Sequence, residues 1–241
     1  MAFRPRVGAH YRYRITVRSV TTTRLEGGAP DRSVDESVLV ADHTVLSAGP
    51  GEARVEVRLR RAGSADRTLV VRLDRAAQLA GVEAVEGLPP SVLGPDALPE
   101  LLPGAPGAPP DRPLEPGERW AIDAPAPLAD VTATRVRGTG RLARLGLSGG
   151  RKVASTTART ELPLRSTVHL AGSTLDLDGT ETTEGSETRG LVDGAVEQAM
   201  TVTRGQFNVQ VEPAGGGAVP VGGTLSIEVR AETHRVATDA V

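Results

Sequence analysis

The residues best suited to chemistry in this chain are few, and most sit in the wrong surroundings for it. Gly146, Leu147, Ser148, Gly149 and Gly150 match the G-x-S-x-G pattern, in which a strained strand-to-helix turn lifts a nucleophilic serine beside an oxyanion hole. Downstream, Arg151, Lys152, Val153, Ala154, Ser155, Thr156 and Thr157 read as a strand where that elbow demands a helix, so Ser148 is expected in a hairpin turn. The histidines, His10, His43, His169 and His234, form no H-x-x-x-H pair, and there is no cysteine to complete a zinc set. Asp176, Asp178 and Gly179 resemble a calcium loop that lacks its third oxygen position and its closing glutamate, and a β-hairpin turn explains them. Glu181, Glu184 and Glu187 could hold a general acid and base. Interleaved with Thr182, Thr183, Ser186 and Thr188, they read instead as the outward face and turn of a polar hairpin, with ordinary solvation. No phosphate-binding glycine loop follows a candidate strand. The expectation is a protein that is not an enzyme, with no cofactor and no metal.

Composition points the same way. The chain has 241 residues, a formal net charge of -2 and no cysteine, which suits one domain and, local patches aside, removes the electrostatic reason to expect bulk attraction to nucleic acid or anionic membrane. Lys152 is the one lysine among 28 cationic residues, and Asn208 the one asparagine. That bias fits a bacterial genome of high GC content better than a phosphate-reading role for arginine. Five aromatics, Phe3, Tyr11, Tyr13, Trp120 and Phe207, are poor material for a channel that stacks bases or sugars. No apolar run reaches about 18 residues, so no transmembrane helix is expected. The opening Met1 to Arg6 has basic residues but no apolar stretch behind them, and is not a secretory signal as it stands.

Periodicity supplies the elements. Tyr11, Tyr13, Ile15 and Val17 alternate with Arg12, Arg14, Thr16 and Arg18, and Ala53, Val55, Val57 and Leu59 alternate with Arg54, Glu56, Arg58 and Arg60. Both are period-two patterns of half-buried strands, the second able to set its arginines against carboxylates or water. Further strands are expected at 36–47, 67–73, 151–162, 165–171, 173–177, 180–184, 186–192, 195–203, 206–212 and 224–236. Turns between them fall at Pro50-Gly51, Gly149-Gly150, Asp178-Gly179, Asp193-Gly194 and Gly222-Gly223. A short helix capped by Asp74 is expected over 75–80. Residues 88–118 hold ten of the eighteen prolines and cannot donate a full ladder. They read as a long loop, or one short helix near 96–102, whose Val92, Leu93, Leu98, Leu101 and Leu102 pack over an apolar sheet face. Fourteen arginines crowd residues 1–75, whereas residues 171–212 carry two arginines and eight carboxylates; two solvated faces of opposite sign are expected.

The run Pro110, Asp111, Arg112, Pro113, Leu114, Glu115, Pro116, Gly117, Glu118, Arg119, Trp120 resembles the P-x-x-P-V-x-x-G-D-x-W stretch of uncharacterised bacterial envelope proteins. An early Y-x-Y strand at Tyr11 and Tyr13 and a later G-x-K-V-A strand at Gly150 to Ala154 are similar in layout. Leu114 stands for the family's valine and Glu118 for its aspartate. The resemblance implies an extracytoplasmic, β-rich, non-enzymatic domain, related in shape to the curved half-barrel carriers of lipoproteins and lipids. It also implies a removed leader; without one, the location is cytoplasmic.

The expected fold is all-β: one domain spanning 1–241, a mostly antiparallel curved sheet or open barrel with at most one or two short helices and the proline-rich loop. The expected function is a cell-envelope binding or carrier module for an apolar ligand or lipid. Tyr11, Tyr13 and Trp120 would line the site, with Leu98, Leu101 and Leu102 as a lid. The alternative is a structural or interaction domain in which the same leucines plug the core.

Overall fold

A computed structural model describes residues 3–63, 65–75, 77, 79–85, 109–110, 112–125, 135–170, 173–213 and 220–236. The elements are β1 (His10–Leu25), β2 (Asp31–Ala48), β3 (Glu52–Arg61), β4 (Arg67–Asp74), β5 (Leu79–Val85), β6 (Arg119–Pro125), β7 (Arg135–Ser148), β8 (Arg151–Leu170), β9 (Ser173–Gly190), β10 (Val196–Pro213) and β11 (Val221–Val236). All belong to one antiparallel sheet in the order β5-β4-β3-β2-β1-β11-β10-β9-β8-β7-β6. Within β1 to β5 and within β6 to β11, neighbours in sequence are neighbours in space, as hairpin turns require. The one long-range junction is β1 against β11, which joins the two sequence halves. The sheet keeps two edges, β5 and β6, and does not close into a barrel.

Two hydrogen bonds show that it curls. Five strand spacings separate β4 from β10, about 24 Å in a flat sheet. Yet the Phe3 N–H donates to the carbonyl of Arg75, just after β4, at 2.6 Å, and the next residue, Arg4, donates to the carbonyl of Asp193, just before β10, at 2.7 Å. One adjacent pair of amides can span both acceptors only if the sheet bends round to bring them together. The main core fills that bend: Tyr11, Tyr13 and Ile15 of β1, Val45 of β2, Val55 and Val57 of β3 and Val71 of β4 pack with Phe3, Ala195, Val196 and Ala199. Burying such an aliphatic side chain stabilises the fold by about 1.5–3 kcal/mol.

The period-two residues decide which face is which. Tyr11, Tyr13 and Ile15 point inward, while Arg12 points outward to Asp42 at 2.5 Å. The arginines of β3 meet carboxylates and not water alone: Arg54 bonds Glu83, Arg58 bonds Asp66, and Arg60 bonds Asp42.

Several expected boundaries are corrected. The helix expected over 75–80 is not formed by its described residues: Ala77 has a φ of 57°, and β5 begins at Leu79. Asp178-Gly179 and Gly222-Gly223 lie within β9 and β11, not in turns. Strands expected in pieces at 173–192 and 195–212 are the long β9 and β10, and β8 runs through Pro163 to Leu170. Strands β6 and β7 lacked an alternating apolar pattern, because glycines occupy the inward positions 138 and 140. Residues 96–102, with Leu98, Leu101 and Leu102, and Val92 and Leu93 before them, lie outside the described residues.

Candidate functional site

Cross-strand register resolves the inner face into rows. Toward the end that carries Phe3, one row reads Ile15, Thr233, Ala199, Glu187, Thr156 and Leu142 from β1 to β7. The next is Val17, Ala231, Thr201, Gly185, Ala158, Gly140 and Trp120. Below it come Ser19, Val229, Thr203, Thr183 and Thr160, with Thr183 and Thr203 hydroxyls 3.0 Å apart. Two further rows hold Thr21, Ile227, Gly205, Glu181 and Leu162, then Thr23, Leu225, Phe207, Gly179 and Leu164. Leu175, Leu177 and Val209 continue the face.

The two ends of this face differ. At the Phe3 end the row from Ile15 to Leu142 is buried. Toward the other end Leu164, Leu175, Leu177, Leu225, Ile227 and Val229 remain partly exposed, although all are large and aliphatic. The opposite face of the same strands is polar, with Arg204 bonded to Glu228 at 3.0 Å, Arg165 to Asp178 at 2.9 Å and Arg159 to Glu184 at 3.2 Å. A strand alternates its side chains between faces, so Leu175 and Leu177 of β9 and Leu225, Ile227 and Val229 of β11 share one face, while Asp176, Asp178, Glu228 and Arg230 lie on the other.

Two aromatics rest on glycines. A Cβ on Gly140 would lie 2.1 Å from Trp120 Cε2, and one on Gly179 would lie 2.7 Å from Phe207 Cδ1. The indole of Trp120 thus occupies the space a side chain at 140 would need, whereas at Gly179 the Gln206 carbonyl oxygen, 2.0 Å from such a Cβ, comes closer than the Phe207 ring.

Buried polar groups punctuate the enclosed end. Arg189 and Glu187, two residues apart on β9, form a double hydrogen bond, and Thr156 donates to Glu187 Oε1 at 3.1 Å. Tyr11 donates to Asp193 at 3.2 Å and lies under the Arg235 guanidinium, 4.9 Å from the ring centre. Burial, reinforced by Asp193, pushes the Tyr11 hydroxyl well above its ordinary pKa, and burial does the same to Tyr13. His43 packs edge-on to Tyr13 at 4.9 Å, and burial pushes its pKa down to about 4. His43 Nε2, Arg60 Nε, Trp120 Nε1 and Arg189 Nη1 are buried without a hydrogen-bond partner among the described residues.

Tyr11 and Tyr13 thus lie in the main core, and Trp120 lies in a second cluster with Ile122, Leu142 and Ala154. The structure does not gather the three around one point. The sequence reading did not single out Phe207, Leu175, Leu177 and Ile227 of the inner face; for Leu175 and Leu177 the signal was the alternation in β9, interrupted by Gly179 and Glu181. Glu187 is corrected from a solvated carboxylate to a buried one, while Glu184 does point outward to Arg159.

The remaining candidates for chemistry are structural. Ser148 ends β7 opposite Arg151, and Gly149 and Gly150, at φ of 54° and 77°, make the tight turn. His10 bonds the Thr44 hydroxyl at 3.1 Å, His234 is exposed on β11, and His169 is a β8 residue opposite Thr174. Asp176 accepts from Thr167 at 2.5 Å. Among the described residues no group of three or more His, Asp or Glu side chains could hold a metal ion. No helix among them is long and apolar enough to cross a membrane. The chain matches no known protein family and no curated protein.

Proposed function

We propose that the protein is a non-enzymatic binding or carrier module that holds an apolar ligand, a lipid or another molecule with a long hydrocarbon part, against the inner face of its curled sheet. The observation that carries this reading is the partly exposed aliphatic surface made by Leu164, Leu175, Leu177, Leu225, Ile227 and Val229. A contiguous apolar surface of this kind marks a binding site more often than a solvated face. The Thr160, Thr183 and Thr203 hydroxyls lie between it and the enclosed core, and suit a ligand with a small polar head. The resemblance of the Pro110 to Trp120 segment to envelope proteins supports an extracytoplasmic location as part of the same proposal.

Native mass spectrometry of protein purified from a bacterial host, followed by solvent extraction and lipid analysis, tests it. A co-purifying apolar mass, lost when Leu177 and Ile227 are replaced by threonine in a protein that still folds, is the expected result. A bare mass with no uptake of a hydrophobic fluorescent probe would replace this reading by that of a structural or interaction domain.

A further inference from the structure

The β7–β8 hairpin is unlike the rest of the chain in charge. Between Arg135 and Thr160 it carries Arg135, Arg137, Arg141, Arg144, Arg151, Lys152 and Arg159 and no carboxylate, in a protein whose net charge is -2. Arg135, Arg151 and Arg159 are paired with carboxylates of other strands, Asp123, Glu197 and Glu184. Arg141, Arg144 and Lys152 are exposed and make no ion pair among the described residues. Their charge is therefore uncompensated toward the hairpin's tip.

The tip is also apolar. Leu145 and Leu147, opposite Ala154 and Lys152, are exposed, Leu147 to 72%. The β9–β10 turn lies beside them, tied on by the Leu191 N–H donating to the Lys152 carbonyl at 2.9 Å, and presents Leu191 and Val192, the latter 88% exposed. Single exposed aliphatics need no explanation, but four on two adjoining turns do. Strand β6 pairs with β7 as far as Arg141, and Gly117 and Glu118 bond Leu142 just beyond it; past Leu142 no strand pairs with the outer edge of β7 among the described residues.

We propose that the tips of the β7–β8 hairpin and the β9–β10 turn dock this protein on the surface of an anionic lipid bilayer. Leu145, Leu147, Leu191 and Val192 enter the boundary between headgroups and acyl chains, while Arg141, Arg144 and Lys152 lie at the level of the phosphates. Long cationic side chains place their stems in the apolar zone and their charges in the wet one. Partial insertion of apolar residues with cations behind them is how proteins bind a membrane without crossing it. A nucleic-acid groove would leave the aliphatic tips in water, and the aromatic rings it would use for stacking are absent from these two turns. This inference does not depend on the inner-face ligand.

The test is co-sedimentation of the full chain with vesicles of phosphatidylcholine alone and with about one third phosphatidylglycerol. Binding to the anionic vesicles only, weakened by added salt, is expected. Arg144→Gln with Lys152→Gln should weaken it about fivefold per charge removed. Leu147→Asp with Val192→Asp should abolish it, and Val34→Asp with Val38→Asp, exposed on β2, should leave it unchanged. If the aspartate variant fails to fold, the glutamine variant, which changes charge alone, carries the test. Absence of vesicle binding, equal binding to neutral vesicles, or unchanged binding by the glutamine variant would overturn the proposal. So would tighter binding to duplex DNA than to the vesicles, or self-association through the tips in place of vesicle binding.

Discussion

Glu187 and Arg189 stand two residues apart on one face of β9 and hold each other through bonds of 2.7 and 2.8 Å, with side chains 3% and 1% exposed. Two residues is the repeat that returns a strand to the same face, so both charges are carried inward together. Removing Arg189 leaves the Glu187 carboxylate buried without this cation. Arg189→Met should cost about 3–5 kcal/mol, and Glu187→Leu with Arg189→Met together should recover most of that loss. Urea unfolding of the three proteins checks it; equal destabilisation by the single and double variants would show that the pair is not coupled.

His43 makes stability depend on pH. Its pKa in the fold is lowered by burial, against the opposing pull of Asp42, from 6.5 to about 4. The stabilisation is whole above the unfolded value, near pH 6.5, and is lost as pH falls toward 4, a total of about 3 kcal/mol. His43→Leu should flatten this part of the curve, read as urea midpoints between pH 7 and 4.5.

Gly140 leaves room for the indole of Trp120. Gly140→Val should destabilise the protein by about 1–3 kcal/mol, because the ring must leave its place or the strands must part. Trp120 is the one tryptophan, so its emission should move to longer wavelength in the variant and report the displacement directly.

Asp193 accepts from Tyr11 at 3.2 Å and from the Ala195 N–H at 3.0 Å. Asp193→Ala should cost about 2 kcal/mol, roughly one for each bond. Asp193→Asn, which keeps an acceptor for Ala195, should cost less; thermal unfolding of the two variants gives the comparison.

The all-β class was legible because β1 and β3 alternate without interruption, Tyr11 to Arg18 and Ala53 to Arg60. A curved sheet was expected as well, but which strands the bend brings together was not legible, since that shows only where Phe3 and Arg4 reach two distant strands. Glycine misled in both directions. Gly149 and Gly150 do form a turn, but Gly179 sits within β9 under Phe207, and local sequence cannot distinguish a glycine that bends the chain from one that admits a ring. Glu187 was misread for a related reason: threonine and serine neighbours suggest water, and its partner Arg189 is buried by residues far away in sequence. Tyr11 and Tyr13 were found by their pattern, yet pattern alone could not tell a core ring from a ligand contact.

The most direct test of the account is quenching of Trp120 fluorescence by an acyl chain brominated along its length. Trp120 belongs to the inner-face row that runs through Gly140, Ala158 and Gly185 to Val17, so a chain held on that face lies close to the indole. Saturable quenching, lost with Leu177→Thr and Ile227→Thr in a folded protein, is the predicted result. Quenching that rises without saturation, or that is the same in the variant, would contradict an apolar ligand site on this face.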